Sequence, residues 1–169
     1  MRNKKVTYLT QAALIAALYV VLTYVANAFG LANHAIQVRF SEVLTVLPFF
    51  TPAAVPGLFI GCLLSNILTG CALPDIVFGS LATLLGALGT YLLRQKKWCA
   101  PICPIVANTL IVPLVLIYGY GLLIDGMSVL RCYGYYALTV GAGEIISCGI
   151  LGMLLLNVLS RYRQQIFER

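Results

Sequence analysis

Residues Tyr135–Leu159 read YYALTVGAGEIISCGILGMLLLNVL, an apolar run carrying a single charge, Glu144. The run is long enough for a helix to cross a bilayer, which takes about 20 mostly apolar residues. A carboxylate near the middle of such a helix costs roughly 2.5–3.5 kcal/mol on insertion scales, and it is tolerated where it faces a cavity or a partner. Glu144 therefore either contacts a ligand or hydrogen-bonds a neighbouring helix. The first reading is preferred, because a purely structural carboxylate is an expensive choice at that depth.

The rest of the chain has the same character. Of its 169 residues, 61% are hydrophobic and 9% charged, with a mean hydropathy of +0.96, which excludes a sizeable soluble domain. The formal charge of +6 does not indicate nucleic acid, because the charges stand at the ends of apolar runs as membrane topology requires. No Gly-x-x-x-x-Gly-Lys-Ser/Thr loop is present, so the chain has no nucleotide hydrolysis of that type. Cys62, Cys71, Cys99, Cys103, Cys132 and Cys148 form no Cys-x-x-Cys pair. They read as small apolar residues in helices, and no metal or cofactor is expected. No nucleophile–base pair converges either, so the chain is not expected to be an enzyme.

Four apolar blocks are plain: Val6–Phe29, Ala53–Thr69, Ile76–Leu93 and a long stretch after Trp98. Turn chemistry at Tyr120–Arg131 (Gly121, Asp125, Gly126, Ser128) divides the last into spans near Pro101–Gly119 and Cys132–Leu159. Ala26-Asn27-Ala28 resembles a signal-peptidase site, but Val6–Phe29 is too long for a signal h-region and reads as a retained first span. Ser41–Phe50 is short and is followed by Pro52 and Pro56. Counting it as a crossing puts Arg2, Lys4, Lys5, Arg94, Lys96, Lys97, Arg161, Arg163 and Arg169 inside, nine of the eleven basic residues. Leaving it out would expose Arg94-Gln95-Lys96-Lys97 outside, against the positive-inside rule. The expectation is an all-α membrane protein of six transmembrane helices, one domain over residues 1–169, with both termini cytoplasmic.

Polar residues within this frame are few. Asn108 lies twelve residues before Tyr120 and Glu144 twelve after Cys132, so each sits roughly 18 Å below the outer end of its helix. On antiparallel neighbours the two come close, either to bond each other or to read a flat heterocycle between them. Helical spacing places Tyr133, Ala137 and Val140 on the stripe of Glu144, with Tyr133 above the carboxylate. Arg39 and Glu42, three apart, can pair on one helix face or belong to the rim of an outer cavity. Asn66 is a rim contact, and Asp75, after Pro74, reads first as a helix cap. His34 is assigned no role. Ala12/Ala16 and Ala13/Ala17 form small-residue faces in the first helix, and Gly57/Gly61 repeat the spacing. Such faces allow close helix approach, whether to the same chain or to another. No dense charge relay or inverted repeat of broken helices is evident, so an energy source is not visible.

Gln37-Val38-Arg39-Phe40-Ser41-Glu42, Thr51–Cys62 (TPAAVPGLFIGC), Asp75–Thr83 (DIVFGSLAT) and Gly143-Glu144 resemble the QueT family, and the similarity covers nearly the whole chain. The resemblance implies a substrate-binding S component of an energy-coupling factor (ECF) transporter, a six-helix bundle in a prokaryotic plasma membrane. It implies an outer site for a queuosine precursor, a transmembrane coupling (T) protein and two separate ATPase subunits. It also implies that Ala12, Ala13, Ala16 and Ala17 dock the coupling protein. The implied ligand is a 7-deazaguanine, such as the aminomethyl precursor or queuine. Its N1–H and exocyclic amine suit Glu144, with Asn108 at the carbonyl edge, a tyrosine on the ring face, and Glu42 or Asp75 near a ligand amine. Glu144→Gln is then expected to weaken binding by more than tenfold. Competing expectations are an S component for another vitamin or base, a standalone carrier, and a scaffold in which Glu144 and Asn108 only pack.

Overall fold

A computed structural model of the chain describes residues 4–30 and 39–162. His34, Gln37 and Val38, and the terminal Arg2, Arg163 and Arg169, lie outside the described residues. Everything described is helix or connection. The helices are α1 (Lys4–Ala28), a 3₁₀ helix (Phe40–Phe49), α2 (Ala54–Leu68), α3 (Asp75–Leu92), α4 (Lys97–Gly119) and α5 (Val129–Arg161). Four of these six, α1, α3, α4 and α5, are long and apolar enough to cross a membrane. The boundaries follow the sequence: Gly70 and Gly126, both at positive φ, sit in the turns after α2 and before α5.

Polarity is arranged inside out. Leu9, Leu88, Leu110, Leu138 and Ile150 are exposed, whereas Glu42, Asn66, Asp75, Asn108 and Glu144 are buried. An apolar exterior around a polar interior is the pattern expected where lipid is the solvent.

Packing sets the helix directions. Glycines on α2 let it lie directly on α1. A Cβ on Gly57 would meet the Ala12 carbonyl oxygen at 2.7 Å, and one on Gly61 would meet Tyr19 Cβ at 2.7 Å and Ala16 Cα at 3.0 Å. The Tyr24 hydroxyl donates to the Leu68 carbonyl at 3.2 Å. The register 12–57, 16–61, 24–68 makes α1 and α2 parallel, so the chain must return between them. The 3₁₀ helix makes that return: Glu42 lies beside Tyr19, while Thr51, just past its end, donates to Gln11 at 2.9 Å. Its 10 residues reach about 20 Å in the 3₁₀ form, where an α-helix would reach about 15 Å. The helix is buried along most of its length and is packed by α1, α3 and α5.

The remaining helices alternate in direction. Thr83 Oγ1 donates to Cys62 Sγ at 3.3 Å between α3 and α2, and Thr90 Oγ1 to the Ala100 carbonyl at 2.8 Å between α3 and α4. Asn108 of α4 meets Glu144 of α5, and Gly152 of α5 packs on Val46 of the 3₁₀ helix. π-type turns open α3 (Asp75–Gly79), end α4 (Val115–Gly119) and follow Glu144 in α5 (Ile145–Leu151). Such turns cluster at functional sites, and here they flank Asp75, Tyr120 and Glu144.

A candidate ligand cavity above a buried carboxylate network

Two groups of polar residues lie one above the other in the bundle. The deeper one joins four helices. Asn108 Nδ2 donates to Glu144 Oε1 at 3.0 Å and lies 3.4 Å from Glu42 Oε2. The Tyr19 hydroxyl donates to Glu42 Oε1, and Cys148 Sγ lies 3.1 Å from Glu144 Oε2. All four carboxylate oxygens thus have a donor in the protein. Thr45 Oγ1 adds a bond to the Glu42 carbonyl at 2.6 Å. The matched depth of Asn108 and Glu144 is realised as a direct hydrogen bond. Glu42 joins them from the 3₁₀ helix, and its partners are Tyr19 and Asn108.

Glu42, Glu144 and Cys148 place metal-ligating atoms within 4.8 Å of one another, a convergence that the spacing of the residues did not reveal. The Asn108 amide already bridges the two carboxylates, and the thiol already bonds one of them. A cation would have to displace both.

The second group surrounds a cavity of about 470 Å³, at the end where α1, α2 and α4 finish and α3 begins. Its polar wall includes Tyr19, Arg39, Ser41, Asn66, Asp75 and Tyr120, and Val112, Leu116 and Leu122 add apolar surface. Tyr19 belongs to both groups: it lines the cavity and its hydroxyl reaches down to Glu42. Glu42, Asn108 and Glu144 are not in the cavity wall.

Asp75 is the carboxylate of the cavity. Its Oδ2 accepts the Tyr120 hydroxyl at 3.0 Å and lies 4.0 Å from Arg39 Nη2, while Oδ1, packed against Gly79, has no hydrogen-bond partner among the described residues. Its backbone carbonyl accepts Asn66 Nδ2 at 3.2 Å. The Tyr120 oxygen also accepts the Ala72 N–H at 3.2 Å, tying the α2–α3 turn to the end of α4. The capping expectation for Asp75 is replaced: its side chain bonds across helices to Tyr120 and faces Arg39. Of the two readings of Arg39 and Glu42, the pair is replaced, and of the rim reading Arg39 lines the cavity while Glu42 does not. Arg39 is extended, with φ −100° and ψ 108°, and stands just before the 3₁₀ helix, so helix-face geometry does not apply to it.

Tyr133 is in neither group; its hydroxyl donates to the Leu110 carbonyl at 3.3 Å. Of the small-residue faces on α1, Ala12 and Ala16 are buried under Gly57 and Gly61, while Ala13 and Ala17 are exposed. The first face therefore serves the chain itself, and the second is open on the outside of the bundle. Sequence reasoning missed Tyr19, Ser41 and Cys148, and it read Tyr120 only as one of the tyrosines at the outer helix ends, without its bond to Asp75. An isolated tyrosine in an apolar run gave the first of these its only signal.

The family described as QueT transporter matches residues 9–161. A relative from Lactococcus lactis subsp. cremoris (strain MG1363), named queuosine precursor transporter QueT, is 34% identical over 98 residues. That match covers 57% of this chain and 57% of the relative. No solved structure matches the chain. The match over residues 9–161 takes in the α1–α2 contact, both polar groups and the cavity between α1, α2, α3 and α4; the chain belongs to the QueT transporter family.

Proposed function

We propose that this protein is the substrate-binding S component of an ATP-driven ECF importer and captures a queuosine precursor in the cavity above Tyr19. The ligand is a 7-deazaguanine, either the aminomethyl precursor or queuine. The observation that carries the reading is the cavity itself: a family of transporters, a pocket within the usual 300–1,000 Å³ range for small ligands, and buried hydrogen-bonding groups in its wall. The cavity is about 470 Å³ and contains Arg39, Asn66 and Asp75 among its polar lining.

In this reading all six helices cross the bilayer, both termini are cytoplasmic, and the cavity opens outward in a prokaryotic plasma membrane. The parallel register of α1 and α2 supports the parity, because the 3₁₀ helix must then return the chain. ATP is hydrolysed by two partner subunits and transmitted through a transmembrane T protein. Ala13 and Ala17, exposed on the middle turns of α1, offer that protein a surface for close helix approach. Arg39, Asn66 and Asp75 contact the ligand, Tyr120 and Tyr19 frame it, and Glu42, Asn108 and Glu144 support the floor.

The test is calorimetry on the purified chain with 7-aminomethyl-7-deazaguanine and queuine, with a flavin and thiamine as controls. Saturable binding of a deazaguanine and none of the controls is the expected result. Binding of a control in place of the deazaguanines would assign the cavity to another compound. No binding of any of them, with no ATPase subunit copurifying, would leave the scaffold reading in its place.

A further inference from the structure

We propose that the end of the bundle opposite the cavity is a docking surface for anionic phospholipid. Arg94, Lys96 and Lys97, around the turn between α3 and α4, take the phosphodiester headgroup, and Trp98 takes the start of the acyl chains. The proposal does not depend on the identity of the cavity ligand.

The first ground is charge. At that end α1 and α4 begin and α3 and α5 finish, which gathers Lys4, Lys5, Arg94, Lys96, Lys97 and Arg161 on it. Among the described residues it carries no carboxylate: Glu42 and Glu144 are deep in the bundle, and Asp75 and Asp125 belong to the cavity end. Membrane topology requires only that such charges be present, so the second ground is how they are held. The Lys96 N–H donates to the Leu93 carbonyl and the Cys99 N–H to the Lys96 carbonyl, each at 3.0 Å. Thr90 Oγ1 clasps the far side of the turn at the Ala100 carbonyl, 2.8 Å away. The Arg94 guanidinium lies over the Tyr91 ring, 4.2 Å from its centre. Stacking of that kind orients the planar fork of an arginine, and the fork matches two oxygens of a phosphate.

The occupant follows from what surrounds the charges. Leu92, Leu93 and Ile102 are exposed beside them, and Trp98 is 77% exposed. An acidic protein surface or a nucleic acid would satisfy the cations and leave this apolar surface uncovered. A phospholipid covers both, with its phosphate on the cations and its first chain carbons on the leucines, and a tryptophan is well suited to that boundary. The same pairing recurs at the start of α1, where Lys4 and Lys5 share a shallow recess with Tyr8 and Leu9. Clusters of lysine and arginine at a membrane surface are drawn to anionic headgroups.

Trp98 is the single tryptophan of the chain, so its fluorescence reports on this surface alone. The full chain is reconstituted in phosphatidylcholine vesicles, with brominated phosphatidylglycerol or brominated phosphatidylcholine as the quencher. At low salt phosphatidylglycerol should be preferred by about fivefold or more, the scale for an anionic headgroup among membrane-surface cations. The preference should shrink at high salt. Replacing Arg94, Lys96 and Lys97 together by Gln should bring the two lipids within about twofold of each other. Arg94→Lys, which keeps the charge and loses the fork, should retain only part of the preference. Thermal unfolding of each variant accompanies the titrations. Equal quenching by the two lipids in the wild type overturns the proposal and leaves the charges as a topological mark or a surface for an acidic protein. A preference that survives the triple substitution overturns it as well. So does loss of the preference to inorganic phosphate at matched ionic strength, which would make the surface a free-phosphate site.

Discussion

The bundle holds carboxylates in two places, Glu42 and Glu144 deep among the helices and Asp75 in the wall of the cavity. Glu42 and Glu144 lie deep, and each of their oxygens has a protein donor from Tyr19, Asn108 or Cys148. Asp75 lies in the cavity wall with one oxygen bonded and the other without a partner among the described residues. The bonds of that network tie α1, the 3₁₀ helix, α4 and α5 together. Asp75 differs in place: it lines the cavity, with Oδ2 toward Tyr120 and Arg39 and Oδ1 against Gly79. Depth alone, which made Glu144 prominent in the sequence, does not distinguish the two. Position relative to the cavity does, since Asp75 is in its wall and Glu42 and Glu144 are not.

The contrast can be tested from the network side first. Asn108→Leu removes the amide between Glu42 and Glu144 and leaves two buried oxygens without a donor, a loss of about 3 kcal/mol or more. Thermal unfolding in detergent should show a large drop in midpoint, while the protein that remains folded binds precursor within about threefold of wild type. Asp75→Asn should do the opposite, costing about tenfold in calorimetric affinity with little change in the unfolding midpoint.

Gly79→Ala sharpens the same point without altering any charge. The new methyl occupies the seat of Asp75 Oδ1 and displaces the carboxylate, a flexible end that can move. Affinity should fall by about fivefold, and stability should change by less than about 1 kcal/mol. Tyr120→Phe deletes the hydroxyl that bonds Asp75 and accepts the Ala72 N–H, and equilibrium binding should weaken by about threefold. Tyr133→Phe should leave binding unchanged, because that hydroxyl serves the Leu110 carbonyl away from the cavity. A clear loss of affinity in Tyr133→Phe would break the division between the two regions.

Much of the architecture was legible from apolar runs and their punctuation. Tyr120–Arg131 does separate α4 from α5, and the apolar block after Thr51-Pro52 is α2. Depth counting brought Asn108 to Glu144, because both lie on regular helices with a fixed rise. The spacing of Gly57 and Gly61 announced close packing, and their neighbour proves to be Ala12 and Ala16 of the same chain.

What escaped the sequence lay where regular geometry stops. Glu42 sits on a helix wound as 3₁₀, with a longer rise and different facing, so its depth and partners could not be counted from α-helical rules. Arg39 stands on extended backbone, which sends it to Asp75, on another helix. Tyr120 reaches Asp75 across 45 positions of sequence, a pairing that local spacing cannot announce. Tyr19 looked like one more apolar residue of α1 because its single polar atom declares itself only when Glu42 arrives beneath it.

The central claim is that the ligand sits in the cavity wall and not in the deep network. A structure of the purified protein with bound 7-aminomethyl-7-deazaguanine tests it directly. The account predicts the ring above Tyr19, in contact with Arg39, Asn66 and Asp75, with the Asn108–Glu144 bond intact. A ring inserted between Glu42, Asn108 and Glu144, with that bond broken, would contradict it.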